Sequence, residues 1–172
     1  MHRILSGRVI FYLFLLLVVD LTIMPLLCIG PLYPQLLYLM VLYAAFQWGW
    51  QRTIPMALAV GILRDLTGSQ FLGFETASFV LASMILDLLV QKMEREFVLL
   101  RFAAAFIFVF CASMFHLILV SLVTGTIYLS WYRCWVVFGS SLYTALLMPL
   151  FFYVTAKWFG DRAVLKQYEL FQ

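Results

Sequence analysis

The chain has 172 residues, of which 66% are hydrophobic and 11% charged, with a mean hydropathy of +1.05. Soluble domains carry about 25% charged residues, so the composition excludes an ordinary soluble fold and describes an integral membrane protein. A net charge of +3, scattered along the chain, excludes a nucleic-acid surface.

The hydrophobic residues cover the whole length, which leaves no room for a separate soluble unit. Residues 1–172 therefore read as a single polytopic membrane domain with a polar tail at 160–172. The first span, residues 9–27, follows Arg3 and Arg8 and lacks a small-x-small cleavage pattern, so it is read as a retained helix. Pro25, Gly30, Pro31 and Pro34 mark its exit. The second span, residues 35–50, ends in Gln47-Trp-Gly-Trp-Gln-Arg52, an interfacial ending with aromatic rings at headgroup level.

The third span is expected over 54–66, with Pro55 in its first turn and Gly68 just past its end. At 1.5 Å per residue Arg64 lies about 14 Å beyond Pro55, about half of a ~30 Å hydrocarbon core. This predicts a short or broken third helix that stops inside the membrane. Its end must face protein or a wet cavity, because carbonyls without partners are not tolerated in lipid. The fourth span begins at Phe74 or Glu75 and runs to Val90, with Glu75 placed where the helix dipole favours an anion. A charge cluster from Lys92 to Arg101 precedes the fifth span, 102–126. An aromatic belt of Tyr128, Trp131, Tyr132 and Trp135 precedes the sixth, 135–158.

Orientation follows from the cations. With the N-terminus in the cytoplasm, six spans put nine of the 11 Lys and Arg residues inside: Arg3, Arg8, Arg52, Lys92, Arg95, Arg101, Lys157, Arg162 and Lys166. Arg64 and Arg133 alone fall on the outer side. This asymmetry predicts an all-α six-transmembrane-helix bundle with both termini cytoplasmic. Merging the second and third spans would spoil it.

Ionisable groups inside hydrocarbon cost about 2.5–3.5 kcal/mol each on insertion scales, so each needs a reason. Asp20 lies about 18 Å along its helix from Arg8. It reads either as a relay or ligand carboxylate or as a buried anion paired with Arg64 or hydrogen-bonded to a neighbouring hydroxyl. Arg64 and Asp65 point about 100° apart, which directs each to a different segment. Asp87 is placed to meet Gln91 or an inner-surface cation. His116 has no second His or carboxylate one turn away, so it reads as a core histidine and not a metal ligand. Cys28, Cys111 and Cys134 have no ligand or CxxC spacing and read as apolar filler.

Catalysis finds little support, since GxSxG, HExxH, P-loop and dinucleotide patterns are all missing. An intramembrane enzyme would have to use Asp20, Asp65, Asp87 or His116. Small residues one turn apart at Ala57/Gly61, Ser121/Gly125 and Ser140/Thr144 allow close helix packing. Phe106, Phe108, Phe110 and Phe115 lie on several faces of the fifth helix, which fits a surface covered by lipid or a partner.

The pattern Gly61-x-x-Arg64-Asp65-x-x-Gly68-x-x-x-Leu72-Gly73 resembles that of the rod shape-determining MreD family. The small size, the N-terminal span followed by prolines and the short basic tail are similar too. The specific part of the resemblance is confined to 61–73. It implies a non-enzymatic subunit of the machinery that elongates the bacterial cell wall, located in the cytoplasmic (inner) membrane. The implied partners are an MreC-like single-span protein and, through the complex, the MreB filament, the glycosyltransferase RodA and a class B penicillin-binding protein. No cofactor is implied. The fold implied is similar to that of the substrate-binding subunits of energy-coupling-factor vitamin transporters, whose outward cavity would place residues 68–73 near its mouth. A transporter substrate-binding subunit is accordingly the alternative function. The residues marked as organising the structure or a partner are Gly61, Arg64, Asp65, Gly68, Gly73 and Asp20, with Glu75, Asp87 and His116 carrying less weight.

Overall fold

A computed structural model describes residues 7–68, 72–92, 98–125 and 130–160. Among them the chain forms six α-helices and no β-strand: α1 Gly7–Thr22, α2 Leu36–Trp48, α3 Trp50–Gly68, α4 Phe74–Lys92, α5 Val98–Thr124 and α6 Trp131–Phe159. The cations Arg3, Arg95, Arg162 and Lys166, the tail beyond 160 and Tyr128 of the aromatic belt lie outside the described residues.

Three helices, α4, α5 and α6, contain stretches long and apolar enough to cross a membrane. The expected first span divides: α1 stops at Thr22 and the chain tightens into a 3-10 helix, Met24–Leu27, with Pro25 at its start. A tight two-residue turn follows, in which Ile29 and Leu32 exchange both backbone hydrogen bonds, 3.0 and 3.2 Å, around Gly30 and Pro31. Leu32 then packs on Gly139 of α6, where a Cβ would meet its Cδ2 at 2.6 Å.

The third helix is not short or broken. It starts at Trp50 and runs for 19 residues, about 28 Å, close to the hydrocarbon thickness. The boundary is set by Gly49, whose φ of 78° reverses the chain in a single residue. Its carbonyl accepts the N–H groups of Arg52 and Thr53, opening the new helix. Pro55 therefore sits in the helix interior, not at its first position, and removes one bond to the Gln51 carbonyl. The shorter helices are instead α1, 16 residues, and α2, 13 residues.

The core is organised around α2. It touches each of the other five helices, and Leu37 to Ala45 are all buried. A helix apolar on every side can be surrounded in this way. Tyr43 meets Phe152 and Phe159 of α6, while Tyr38 meets Phe79 of α4 and Phe108 of α5. Phe108 is thus a core residue, whereas Phe106, Phe110 and Phe115 are half-buried. Helix α1 is tied to α6 by the hydrogen bond between the Tyr12 hydroxyl and Thr155 Oγ1, 2.8 Å.

Candidate functional site

Five ionisable residues, Asp20, Arg64, Asp65, Glu75 and His116, converge at one end of the bundle, where α1 and α3 finish and α2 and α4 begin. Each of these beginnings exposes N–H groups with no partner in their own helix. The fold meets this need twice by the same device, a carboxylate from the end of the preceding helix. Asp20, two residues before the end of α1, accepts the N–H of Leu36 on Oδ1 at 3.0 Å. Asp65, three residues before the end of α3, accepts the N–H of Glu75 on Oδ1 and that of Thr76 on Oδ2, both at 3.1 Å. The Thr76 hydroxyl also donates to Asp65 Oδ2. In both cases the negative charge lies at the positive end of a helix dipole.

Gly61 is one turn before Asp65 on the same face. A Cβ there would come within 2.5 Å of the Thr76 Cα, so the absence of a side chain is what lets α3 approach α4. Gly61 and Asp65 thus meet the same residue, one by contact and one by hydrogen bonds. Gly73, with φ 94°, turns the chain into α4, and its carbonyl accepts the N–H of Ala77 at 2.9 Å. Gly68 is the last residue of α3 and has an ordinary φ with nothing near the position of a Cβ. Residues 69–71 of the expected outward loop lie outside the described residues.

Arg64 points away from Asp65, towards α1. Its Nη1 is 2.9 Å from Asp20 Oδ2, and its guanidinium lies 5.7 Å from the centre of the Tyr38 ring. Asp20 therefore uses one oxygen on α2 and the other on α3, joining three helices with a single carboxylate.

Glu75 and His116 belong to the same end, although sequence spacing did not connect them. His116 Nδ1 is 3.7 Å from Glu75 Oε1, an ionic distance too long for a hydrogen bond. Asp87 is not part of this assembly: it lies three turns further along α4 and accepts a hydrogen bond from Gln91 at 2.9 Å. No group of three or more His, Cys, Asp or Glu residues could hold a metal ion among the described residues.

Two cavities flank Arg64. The larger, about 470 Å³, lies between α1, its 3-10 extension and α3, and includes Asp20, Cys28 and Thr67 in its lining. The smaller, about 110 Å³, lies between α2, α4, α5 and α6, and includes Gln35, Ser113, His116 and Ser140. Tyr33, Arg64 and Glu75 line both.

Sequence reading missed Gln35, Tyr38, Thr76 and Ser140 as members of this end. Ser140 and Thr144 were visible as a small-residue pair, and Thr144 Oγ1 does receive the start of α2, accepting the Gln35 N–H at 3.1 Å. Thr76 carried no signal beyond following Leu72-Gly73. Compared with known proteins, the chain matches no family model, no curated protein and no solved structure.

Proposed function

We propose that the chain is a non-enzymatic subunit of the bacterial cytoplasmic membrane that acts by binding. It crosses the membrane six times with both termini in the cytoplasm. It presents a partner surface to an MreC-like single-span protein within the cell-wall elongation complex. Peptidoglycan synthesis and control of cell shape are then carried out by the enzymes of that complex, with RodA, a class B penicillin-binding protein and MreB as further partners.

The observation that carries this reading is the use of residues 61–73. Three of the five charged and glycine positions on which the MreD resemblance rests are engaged in joining helices: Gly61 and Asp65 hold α3 to α4, and Arg64 holds α3 to α1. A bundle braced at those points suits a scaffold. Broad apolar exposure on α5 and α6, including Leu99, Leu122, Leu146 and Leu150, suits contact with lipid and a partner helix. Arg8 and Lys157 are exposed at the end opposite Arg64, which is compatible with that end facing the cytoplasm.

Detergent pull-down of the tagged full-length chain from its native membrane tests the reading. Recovery of an MreC-like protein or a cell-wall synthase supports it, and recovery of an ATPase-bound transmembrane coupler overturns it. The larger cavity favours one alternative, a transporter substrate-binding subunit, because about 470 Å³ falls within the range of small-molecule sites. Native mass spectrometry of the gently purified protein distinguishes that alternative by a retained soluble ligand.

A further inference from the structure

Buried polar atoms in folded proteins almost always have a hydrogen-bond partner, and each exception calls for an explanation. Among the described residues four buried side-chain atoms have none: Gln35 Oε1, Glu75 Oε2, His116 Nδ1 and Ser140 Oγ. They come from α4, α5, α6 and the residue preceding α2, and all four belong to residues lining the smaller cavity. Gln35 and Ser140 are only 6% and 4% exposed. Four residues far apart in sequence, each with an orphaned polar atom and all lining one space of about 110 Å³, mark a built polar chamber and not a packing defect.

The chemistry of the chamber has a sign. Glu75 Oε2 and Gln35 Oε1 can only accept hydrogen bonds, while His116 Nδ1 and Ser140 Oγ can do either. Nearby, Asp20, Asp65 and Glu75 contribute three negative charges against one positive charge from Arg64. The N-terminal dipoles of α2 and α4 add about half a positive charge each, and the C-terminal ends of α1 and α3, which finish at the same place, offset them by about as much. Carboxylates therefore outnumber the guanidinium here, and among the described residues Glu75 is the one of the three whose side chain accepts no hydrogen bond. Chamber and charge together suit a cation that donates in several directions.

We propose that this chamber binds a primary ammonium group, with any attached chain running past Tyr33 and Arg64 into the larger cavity. Three N–H donors match Glu75 Oε2, Gln35 Oε1 and either His116 Nδ1 or Ser140 Oγ. A small soluble amine and the ethanolamine head of a phospholipid share this chemistry. The site stands apart from the partner reading above, because it is tested on the purified chain alone.

The test is thermal unfolding of the full-length protein in nanodiscs of phosphatidylcholine and phosphatidylglycerol, which have no primary amine. n-Butylammonium chloride is expected to raise the midpoint in proportion to the logarithm of its concentration, by about 5 °C at about ten times its dissociation constant, whereas sodium chloride and sodium butyrate at equal ionic strength do not. Glu75→Gln and, separately, Gln35→Leu abolish the rise, while Asp87→Asn retains it. If instead only phosphatidylethanolamine raises the midpoint, in wild type but not in Glu75→Gln, the ammonium is that of a lipid head. The proposal is overturned if neither amine source stabilises the wild-type protein, or if sodium chloride does so equally, which would leave the chamber to water or an inorganic ion.

Discussion

Asp65 caps the helix that follows its own, with Thr76 Oγ1 and the Thr76 N–H both directed at Asp65 Oδ2. Asp65 is buried, and the N–H groups it satisfies would otherwise have no partner. Asp65→Asn keeps the shape but exchanges one acceptor oxygen for an NH2 group, leaving a donor facing donors. It is expected to cost about 1–3 kcal/mol, and Thr76→Val, which removes one hydroxyl, about 1 kcal/mol. Unfolding midpoints in detergent should fall in that order. A wild-type midpoint for Asp65→Asn would remove the capping role, and loss of partner co-purification with an unchanged midpoint would assign Asp65 to the partner surface.

Gly61 and Gly68 both stand in the 61–73 pattern, yet they should respond oppositely to alanine. At Gly61 the new methyl meets backbone, the Thr76 Cα, which cannot rotate away. Helices α3 and α4 must separate, at a cost of about 1–3 kcal/mol. At Gly68 the methyl meets nothing and φ is ordinary, so alanine should be neutral or stabilising by up to about 1 kcal/mol through the unfolded chain. Parallel melts of Gly61→Ala and Gly68→Ala check this, and equal losses would show that the close α3–α4 approach is not what Gly61 provides.

The divergence of Arg64 and Asp65 was legible because adjacent residues on a helix point about 100° apart. Their targets were only partly so. The Asp20 partner of Arg64 is a side chain and could be named in advance, whereas the partners of Asp65 include backbone N–H groups, which have no letter of their own. Pro55 misled for a similar reason. It is a valid helix-start signal, but Gly49 had already turned the chain, and a proline within an established helix costs one hydrogen bond without stopping it. Hydropathy likewise could not separate α1 from the 3-10 turn of residues 24–27, since both are apolar. The chamber was invisible because Gln35, Glu75, His116 and Ser140 are separated by up to 105 positions and meet only through packing around α2.

The Arg64–Asp20 pair should show strong coupling. Asp20 is 9% exposed, and removing either partner leaves an uncompensated charge away from water. Asp20→Asn and Arg64→Met are each expected to destabilise by about 3 kcal/mol. Asp20→Asn should be relieved in part by Arg64→Met, since the double variant has neither charge. A double-mutant cycle on unfolding midpoints measures the difference, and strictly additive losses would mean that the 2.9 Å contact carries no coupling energy.

The native cysteines can test the orientation of the bundle without new labels. Cys28 is exposed, follows the 3-10 turn and lines the larger cavity. Cys134 is half-buried in the first turn of α6, at the same end of the bundle. Cys111 lies in the middle of α5, away from both helix ends. If both termini are cytoplasmic, Cys28 and Cys134 are on the outer side. A membrane-impermeant thiol reagent applied to intact spheroplasts should then modify Cys28 readily, Cys134 more slowly and Cys111 hardly at all. In the opposite orientation, modification of Cys28 requires lysis. Cys28→Ser, which should fold normally at this exposed site, identifies the fast phase. n-Butylammonium should slow that phase in wild type, because a chain attached to an ammonium in the smaller chamber would extend into the cavity that Cys28 lines.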